Sequence, residues 1–288
     1  MIIFLLLGII SFSSIFYIIL KNKINRILND GFPITIGKIT YKRYNITENN
    51  INKLNLEQIQ NDLKEICINS IDSILNYDYL KKNPINKNIF NNKIILILYN
   101  SNKPIAFNCI IKLESNVYHL GLYMIIKEYK GYGIQKKLSI INTLPLHNYN
   151  IFKNIIITDI GNSSSAVNIL SKYIYDLYPN FIYNISIKDY HKKYAKLLFE
   201  KYKKEICLSN KSEFNENTFI VKNANIEDGA IELTNFINDR ITKNKKINEY
   251  FEKNIGKYDE IIIVGKYNLA FLFISLLFSK KILSIINY

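Results

Sequence analysis

The residues best suited to chemistry lie between His119 and Lys137. There a strand-like run, Val117 to Ile126, leads through Lys130-Gly131-Tyr132-Gly133 into Ile134-Gln135-Lys136-Lys137-Leu138, where helical spacing begins. A buried strand that passes through a glycine turn directly into a helix aims several backbone N–H groups at one point. The helix N-terminus adds partial positive charge there. Gly131 and Gly133 lack a Cβ and let the backbone approach a ligand closely. Lys130, Lys136 and Lys137 add long-range attraction for an anion. This combination suits a diphosphate.

The stretch Glu128 to Leu138 resembles motif A of the GNAT acetyltransferases, Arg/Gln-x-x-Gly-x-Gly/Ala, which falls here at Lys130 to Gln135 behind Glu128-Tyr129. Two positions depart from it: Lys130 replaces the Arg or Gln, and Gln135 replaces the last Gly or Ala. A long eukaryotic and viral GNAT-like group is similar at His119-Leu120-Gly121-Leu122, at Gly131 to Gln135 (with Ile134 for a Leu) and at Tyr178-Pro179. Downstream, Ile155 to Asp159 and then Asn162-Ser163-Ser164-Ser165-Ala166 resemble the family's strand followed by Asn-x-x-Ala, with one residue too many. The resemblance covers roughly Lys93 to Ile187. It implies acetyl-CoA as cofactor, held by Leu122, Met124, Lys130, Gly131, Tyr132, Gly133, Ile134, Gln135, Lys136 and Asn162. It also implies direct transfer of the acetyl group to an amine, whose identity it does not give.

The family's catalytic positions carry over unevenly. Histone-acetyltransferase-like members place a Glu at the start of the fourth strand, and the same distance back from Lys130 lands on His119. A neutral imidazole is a competent base near pH 7; the alternative is a histidine that packs or caps the strand. Glu114 is a rival base, but it falls in a hairpin turn where solvation is expected. The acid is expected four residues after the Ala, where Leu170 stands, so Tyr173, about one turn on, takes its place. Asp159 either binds substrate or caps the next helix, and capping fits its position better. Gln135 and Leu170 motivate a second reading, a non-catalytic GNAT-like module that binds CoA or a partner at a membrane.

These residues need a scaffold. Gly37–Thr47 reads as a strand, Ile51–Tyr77 as one or two helices, and Asn83–Asn92 as a loop. Lys93–Leu98, Ile105–Leu113 and Val117–Ile126 form an antiparallel meander with short turns. A helix in Gly131–Leu144, a strand at Asn154–Ile160, a helix at Ser163–Leu177 and a strand at Phe181–Ile187 follow. The fold class is α/β (α+β): a mixed, mostly antiparallel sheet flanked by helices. Further elements are expected at Lys188–Ile206 (helix), Thr218–Lys222 (strand), Ile247–Phe251 (helix), Glu260–Gly265 (strand) and Leu269–Phe278 (apolar helix). The expected division is an anchor at 1–23, a GNAT-like domain at 24–187 and an α/β extension at 188–288 packed on the core.

Residues Ile2 to Leu20 carry no charge and are long enough to span a bilayer, and Lys21, Lys23 and Arg26 follow. The positive-inside rule puts the rest of the chain on the cytoplasmic side of a single-pass protein. With no basic residue before the apolar run, an uncleaved anchor fits better than a signal peptide. The net charge of +14 suits a polyanionic cofactor or anionic lipid, and the scarcity of Arg argues against nucleic acid. Cys67, Cys109 and Cys207 are far apart and odd in number, which argues against disulfides and a zinc site.

Overall fold

The computed structural model describes residues 31, 33–75, 77–83, 86–147, 152–183, 185–225 and 242–269. The expected anchor at 1–23 and the Leu269–Phe278 helix beyond its first residue lie outside the described residues. No described helix is long and apolar enough to cross a membrane.

The elements follow one another as β1 (Ile34–Ile36), β2 (Ile39–Asn45), α1 (Leu56–Ile71), α2 (Asp78–Lys81), β3 (Lys93–Asn100), β4 (Lys103–Glu114) and β5 (Val117–Ile125). Then come α3 (Ile134–Thr143), β6 (Ile155–Gly161), α4 (Ser164–Tyr173), β7 (Tyr175–Tyr178), α5 (Asp189–Lys201), β8 (Glu213–Phe214), β9 (Ile220–Lys222), α6 (Lys245–Asn254) and β10 (Glu260–Tyr267). One sheet runs β1-β2-β3-β4-β5-β6-β10-β9-β8, with β7 also pairing β10. Every pairing is antiparallel except β5 with β6. The expected meander is present as β3–β5.

The apolar pattern explains the layering. Leu63 and Ile66 of α1 pack with Ile95, Ile97 and Phe107 of β3 and β4 in one cluster. Val167 of α4, Leu198 of α5 and Phe251 of α6 pack with Ile157 and Ile262 of β6 and β10 in a second. Each such fully buried side chain contributes about 1.5–3 kcal/mol. The Asn55 side chain caps α1 by accepting from the Gln58 amide, and Asp72 ends it in the left-handed region at φ 59°.

Three expectations change. The helix expected through Leu177 stops at Tyr173, and a strand follows at once as β7. The strand expected at Phe181–Ile187 is absent from the described part of that range. The chain reverses because Asp176 sits at φ 51°, its carboxylate held by Lys188 Nζ (2.6 and 2.7 Å) and Tyr190 Oη (2.8 Å). That tertiary anchor outweighs the helical spacing. A 3-10 turn at Lys87–Phe90 replaces part of the loop expected at Asn83–Asn92, and short α2 precedes it. The strand expected at Glu260–Gly265 is present as β10, an interior strand lying between β6 and β9.

His119 illustrates the cost of this packing. It is 2 % exposed, with Nδ1 3.2 Å from Thr158 Oγ1, and burial pushes its pKa down to about 3. The folded chain therefore keeps the ring neutral while the unfolded chain takes up the proton near pH 6.5. Stability from this group is full above pH 6.5 and is lost as pH falls toward 3, at about 1.4 kcal/mol per pH unit. Chemical denaturation of His119→Gln between pH 7 and 5 is expected to show a shallower loss than the parent; equal slopes would refute it.

Candidate cofactor and acceptor cleft

The parallel pair β5–β6 is short. Val117 to Leu120 face Ile156 to Asp159 in register, and there the pairing ends. On its other edge β5 carries a bulge. Tyr123 faces Asn108 and Leu120 faces Ile110, so Gly121 and Leu122 together oppose Cys109. A bulge bends and twists its strand, and here it coincides with the point where β5 leaves β6. The backbones approach closely there: a Cβ on Gly121 would lie 3.0 Å from the Cys109 carbonyl oxygen, close enough that the neighbouring strand would have to shift.

A cavity of about 460 Å³ opens in the gap. β5 supplies Leu120 to Tyr123, and β6 supplies Ile157 and Asp159 to Gly161. α3 presents Gln135, Ser139 and Thr143; α4 presents Ala166, Ile169, Leu170 and Tyr173. Leu75 and Tyr77, from the α1–α2 connection, form another wall, and Asn225, Glu260 and Tyr267 come from the C-terminal segment. The volume is that of a small-ligand site.

The glycine turn stands at the start of α3, one residue before the cavity-lining Gln135. Gly131 and Gly133 lie at φ 85° and 70°, a region that L side chains avoid. The first helical bond runs from the Lys137 amide to the Gly133 carbonyl at 3.4 Å, so the amides of Gly133 to Lys136 precede the helical ladder. A Cβ on either glycine would meet nothing within 4 Å. The space beside these glycines is open, and the helix-start amides are donors that suit a diphosphate. The residues present therefore fit the cofactor that the motif implies.

The other end of α3 is fixed from below. Buried Arg43 donates from Nε to Asn142 Oδ1 (2.9 Å), and Asn142 Nδ2 donates to Asn108 Oδ1 (2.7 Å). Burial lowers the Arg43 pKa to about 10, which leaves it charged at neutral pH. Thr143 Oγ1 lies 3.2 Å from Tyr267 Oη, which ties α3 to β10 across the cavity.

Acid–base character concentrates on β6. Burial pushes the Asp159 carboxyl up to about 8, with a further rise from the Glu260 charge. Burial also raises Tyr77, Tyr123 and Tyr267, the last to about 12. Asp159 and Glu260 are the only charged side chains among the described residues lining the cavity.

Of the residues expected from the sequence, Leu122, Gln135, Asn162 and Tyr173 line the cavity, and Lys130 to Ile134 form the turn beside it. Met124 lies beyond the bulge, 9 % exposed, in the apolar cluster with Phe107. The side chain of Lys136 lies outside the described residues. His119 does not line the cavity; it points at Thr158 and is held neutral, so we do not assign it the base role there. Asp159 is not the helix cap, because Ser163 Oγ accepts from the Ala166 amide (3.3 Å) and caps α4. That leaves the carboxylate facing the cleft. Tyr77, Tyr123, Glu260 and Tyr267 were not singled out from sequence. Only strand alternation beside Leu122 signals Tyr123; the others arrive by long-range folding.

No protein-family model matches the chain, and no curated protein does. Among solved structures it is similar to the PaiA N-acetyltransferase of Thermoplasma acidophilum in complex with coenzyme A, at 13% identity over 42% of this chain and 79% of that one, with a TM-score of 0.29. It is similar to a ribosomal-protein-S5-alanine acetyltransferase from Vibrio fischeri at 12% identity, over 49% and 80%, TM-score 0.33. The ribosomal-protein-S18-alanine N-acetyltransferase of Escherichia coli matches at 10% identity, over 79% and 94%, TM-score 0.34. All three are acetyltransferases. At such low identities and TM-scores the functional reading rests on this chain's own turn and cleft.

Replacing Gly121 tests the bulge. Gly121→Ala is expected to cost about 1–3 kcal/mol, as overpacking against backbone does, and to lower the melting temperature. Unchanged melting would mean that the bulge does not need glycine.

Proposed function

We propose that the chain is a GNAT-type, acetyl-CoA-dependent N-acetyltransferase that acts on an amine by direct transfer. The carrying observation is the opened β5–β6 pair, which makes a cavity beside a glycine turn whose helix-start amides lie free of the helical ladder. The apolar segment 1–23 would tether the enzyme to a membrane, with the catalytic part on the cytoplasmic side.

The amides of Gly133 to Lys136 would hold the diphosphate of the cofactor, and the walls of β5, β6 and α4 would hold its apolar arm. Acetyl-CoA, when bound, supplies an acyl thioester: the amine lone pair forms the C–N bond as the C–S bond breaks, and that electron pair leaves on sulfur. Asp159 accepts a proton from the incoming ammonium at a carboxylate oxygen. Its raised pKa makes it a base matched to a mildly alkaline pH. The bulge keeps its extra residue out of the ladder, so an amide at Gly121–Leu122 serves as donor to the acyl oxygen. Tyr173 Oη donates a proton to the departing sulfur, and the proton left on the new amide nitrogen returns to the phenolate. Leu75, Ile169 and Leu170 keep water from the acyl group.

Titration calorimetry of the full chain with acetyl-CoA tests the cofactor; no heat at millimolar ligand would end this reading. If Asp159 is the base, activity rises with pH up to about 8, because only the ionised carboxylate takes a proton, and levels off above. Asp159→Asn and Tyr173→Phe are each expected to lower kcat about 10²-fold or more. A profile unchanged in Asp159→Asn would remove Asp159 from the mechanism.

A further inference from the structure

Resting on the acetyltransferase reading, we propose that Asn108 binds the cofactor: its side-chain NH2 donates to a carbonyl oxygen on the acylated arm, and buried Arg43 fixes that orientation through Asn142. The argument starts on β2. Arg43 pairs with Leu96, Leu96 with Asn108, and Asn108 with Tyr123, the first residue after the bulge. Arg43 and Asn108 therefore share one face of the sheet, two strands or roughly 10 Å apart. Asn142 of α3 bridges that interval, and all three side chains are buried.

The polarity of this relay follows from its first member, because a guanidinium only donates. Arg43 donates from Nε to Asn142 Oδ1 (2.9 Å) and from Nη2 to the Asn142 carbonyl oxygen (3.3 Å). The oxygen end of the Asn142 amide must face Arg43, so its Nδ2 end faces β4 and donates to Asn108 Oδ1 (2.7 Å). That contact turns the NH2 of Asn108 away from Asn142. Anchoring Asn142 does not require this amide, whose Nδ2 also lies 3.3 Å from the Asn108 carbonyl oxygen and 3.5 Å from that of Ile94. No described group accepts from Asn108 Nδ2. It is not sealed inside protein as the partnerless Tyr123 hydroxyl is, and Asn108 lines the cavity. A donor so placed waits for an acceptor on the ligand.

Two features select that acceptor. No basic side chain among the described residues lines the cavity, which disfavours an anion there and leaves a neutral oxygen. Gln135, Ser139 and Thr143 line the cavity at every fourth residue, so it follows α3 away from the glycine turn. From Gln135 to Asn142 the helix advances roughly 10 Å at 1.5 Å per residue. The donor thus lies past the diphosphate, where an arm bearing amide carbonyls and a terminal acyl carbonyl would run.

Calorimetry of the full chain compares acetyl-CoA, CoA and 3′-phosphoadenosine 5′-diphosphate, the nucleotide half that keeps the diphosphate and lacks the arm. Asn108→Leu removes the donor and adds no charge. It is expected to weaken acetyl-CoA about three- to tenfold, as loss of one neutral hydrogen bond does, and to leave the nucleotide half unchanged. An equal loss for CoA puts the acceptor among the arm's amide carbonyls; a loss confined to acetyl-CoA puts it at the acyl oxygen. Asn108→Asp keeps an acceptor for Asn142 and exchanges the donor for an oxygen, so it too should weaken acetyl-CoA, and it decides by the same comparison if Asn108→Leu does not fold. Unchanged acetyl-CoA binding in a folded variant overturns the proposal. So does an equal loss for the nucleotide half, which would mean that Asn108 only props α3. Absence of acetyl-CoA binding to the parent chain sinks the transferase reading itself.

Discussion

Four facing residues, Val117 to Leu120 against Ile156 to Asp159, hold β5 to β6, and the two strands then part. The architecture of the cleft follows from that limited parallel pairing. Were it to continue, the sheet would close and no ligand could enter between its halves. The bulge at Gly121–Leu122 makes parting feasible by turning β5 toward β4, where it keeps pairing with Ala106 to Asn108. One apolar cluster packs α1 on β3–β5, and the other runs from Ile110 and Val117 across to Ile157 and Ile262, so it holds the two halves together where the strands are still paired.

Around the opening, polar groups are positioned at some energetic expense. Arg43 and Asn142 are buried so that α3 keeps a fixed tilt, and their mutual hydrogen bonds offset most of that desolvation. Asp159 is only partly compensated, by a hydrogen bond from the Ile160 backbone that burial outweighs. A carboxyl whose pKa rises on folding destabilises the native state as pH climbs from 3.8 toward 8, the opposite sense to a salt-bridged acid. A cationic guest would relieve this directly, which ties the site's stability to its occupation.

Much of this was legible in the sequence. The meander read correctly because its turns, Asn100 to Lys103 and Glu114 to Val117, are short and polar between long apolar runs. The glycine turn read correctly because Gly131 and Gly133 sit directly before a helical repeat. Other features depended on distant contacts. Helical spacing ran on past Tyr173, and only Lys188 and Tyr190 folding back onto Asp176 explain why the chain reverses there. Local sequence offers Asp159 and Ser163 as equally good caps, and only the fold chooses Ser163. Glu260 and Tyr77 reach the cleft through tertiary folding that no local spacing encodes.

The place of β10 has a consequence for how the chain is made. This strand, the last one described, is inserted between β6 and the β8–β9 hairpin rather than added at a rim. During synthesis β6 must wait, with one flank unpaired, until nearly a hundred further residues have emerged, roughly 5–20 s at ordinary elongation rates. For that interval the N-terminal meander can already be assembled while the cavity wall is missing Glu260 and Tyr267. An interrupted or clipped chain would thus retain a folded half but no finished cleft, and it would bear an unsatisfied strand edge open to self-association.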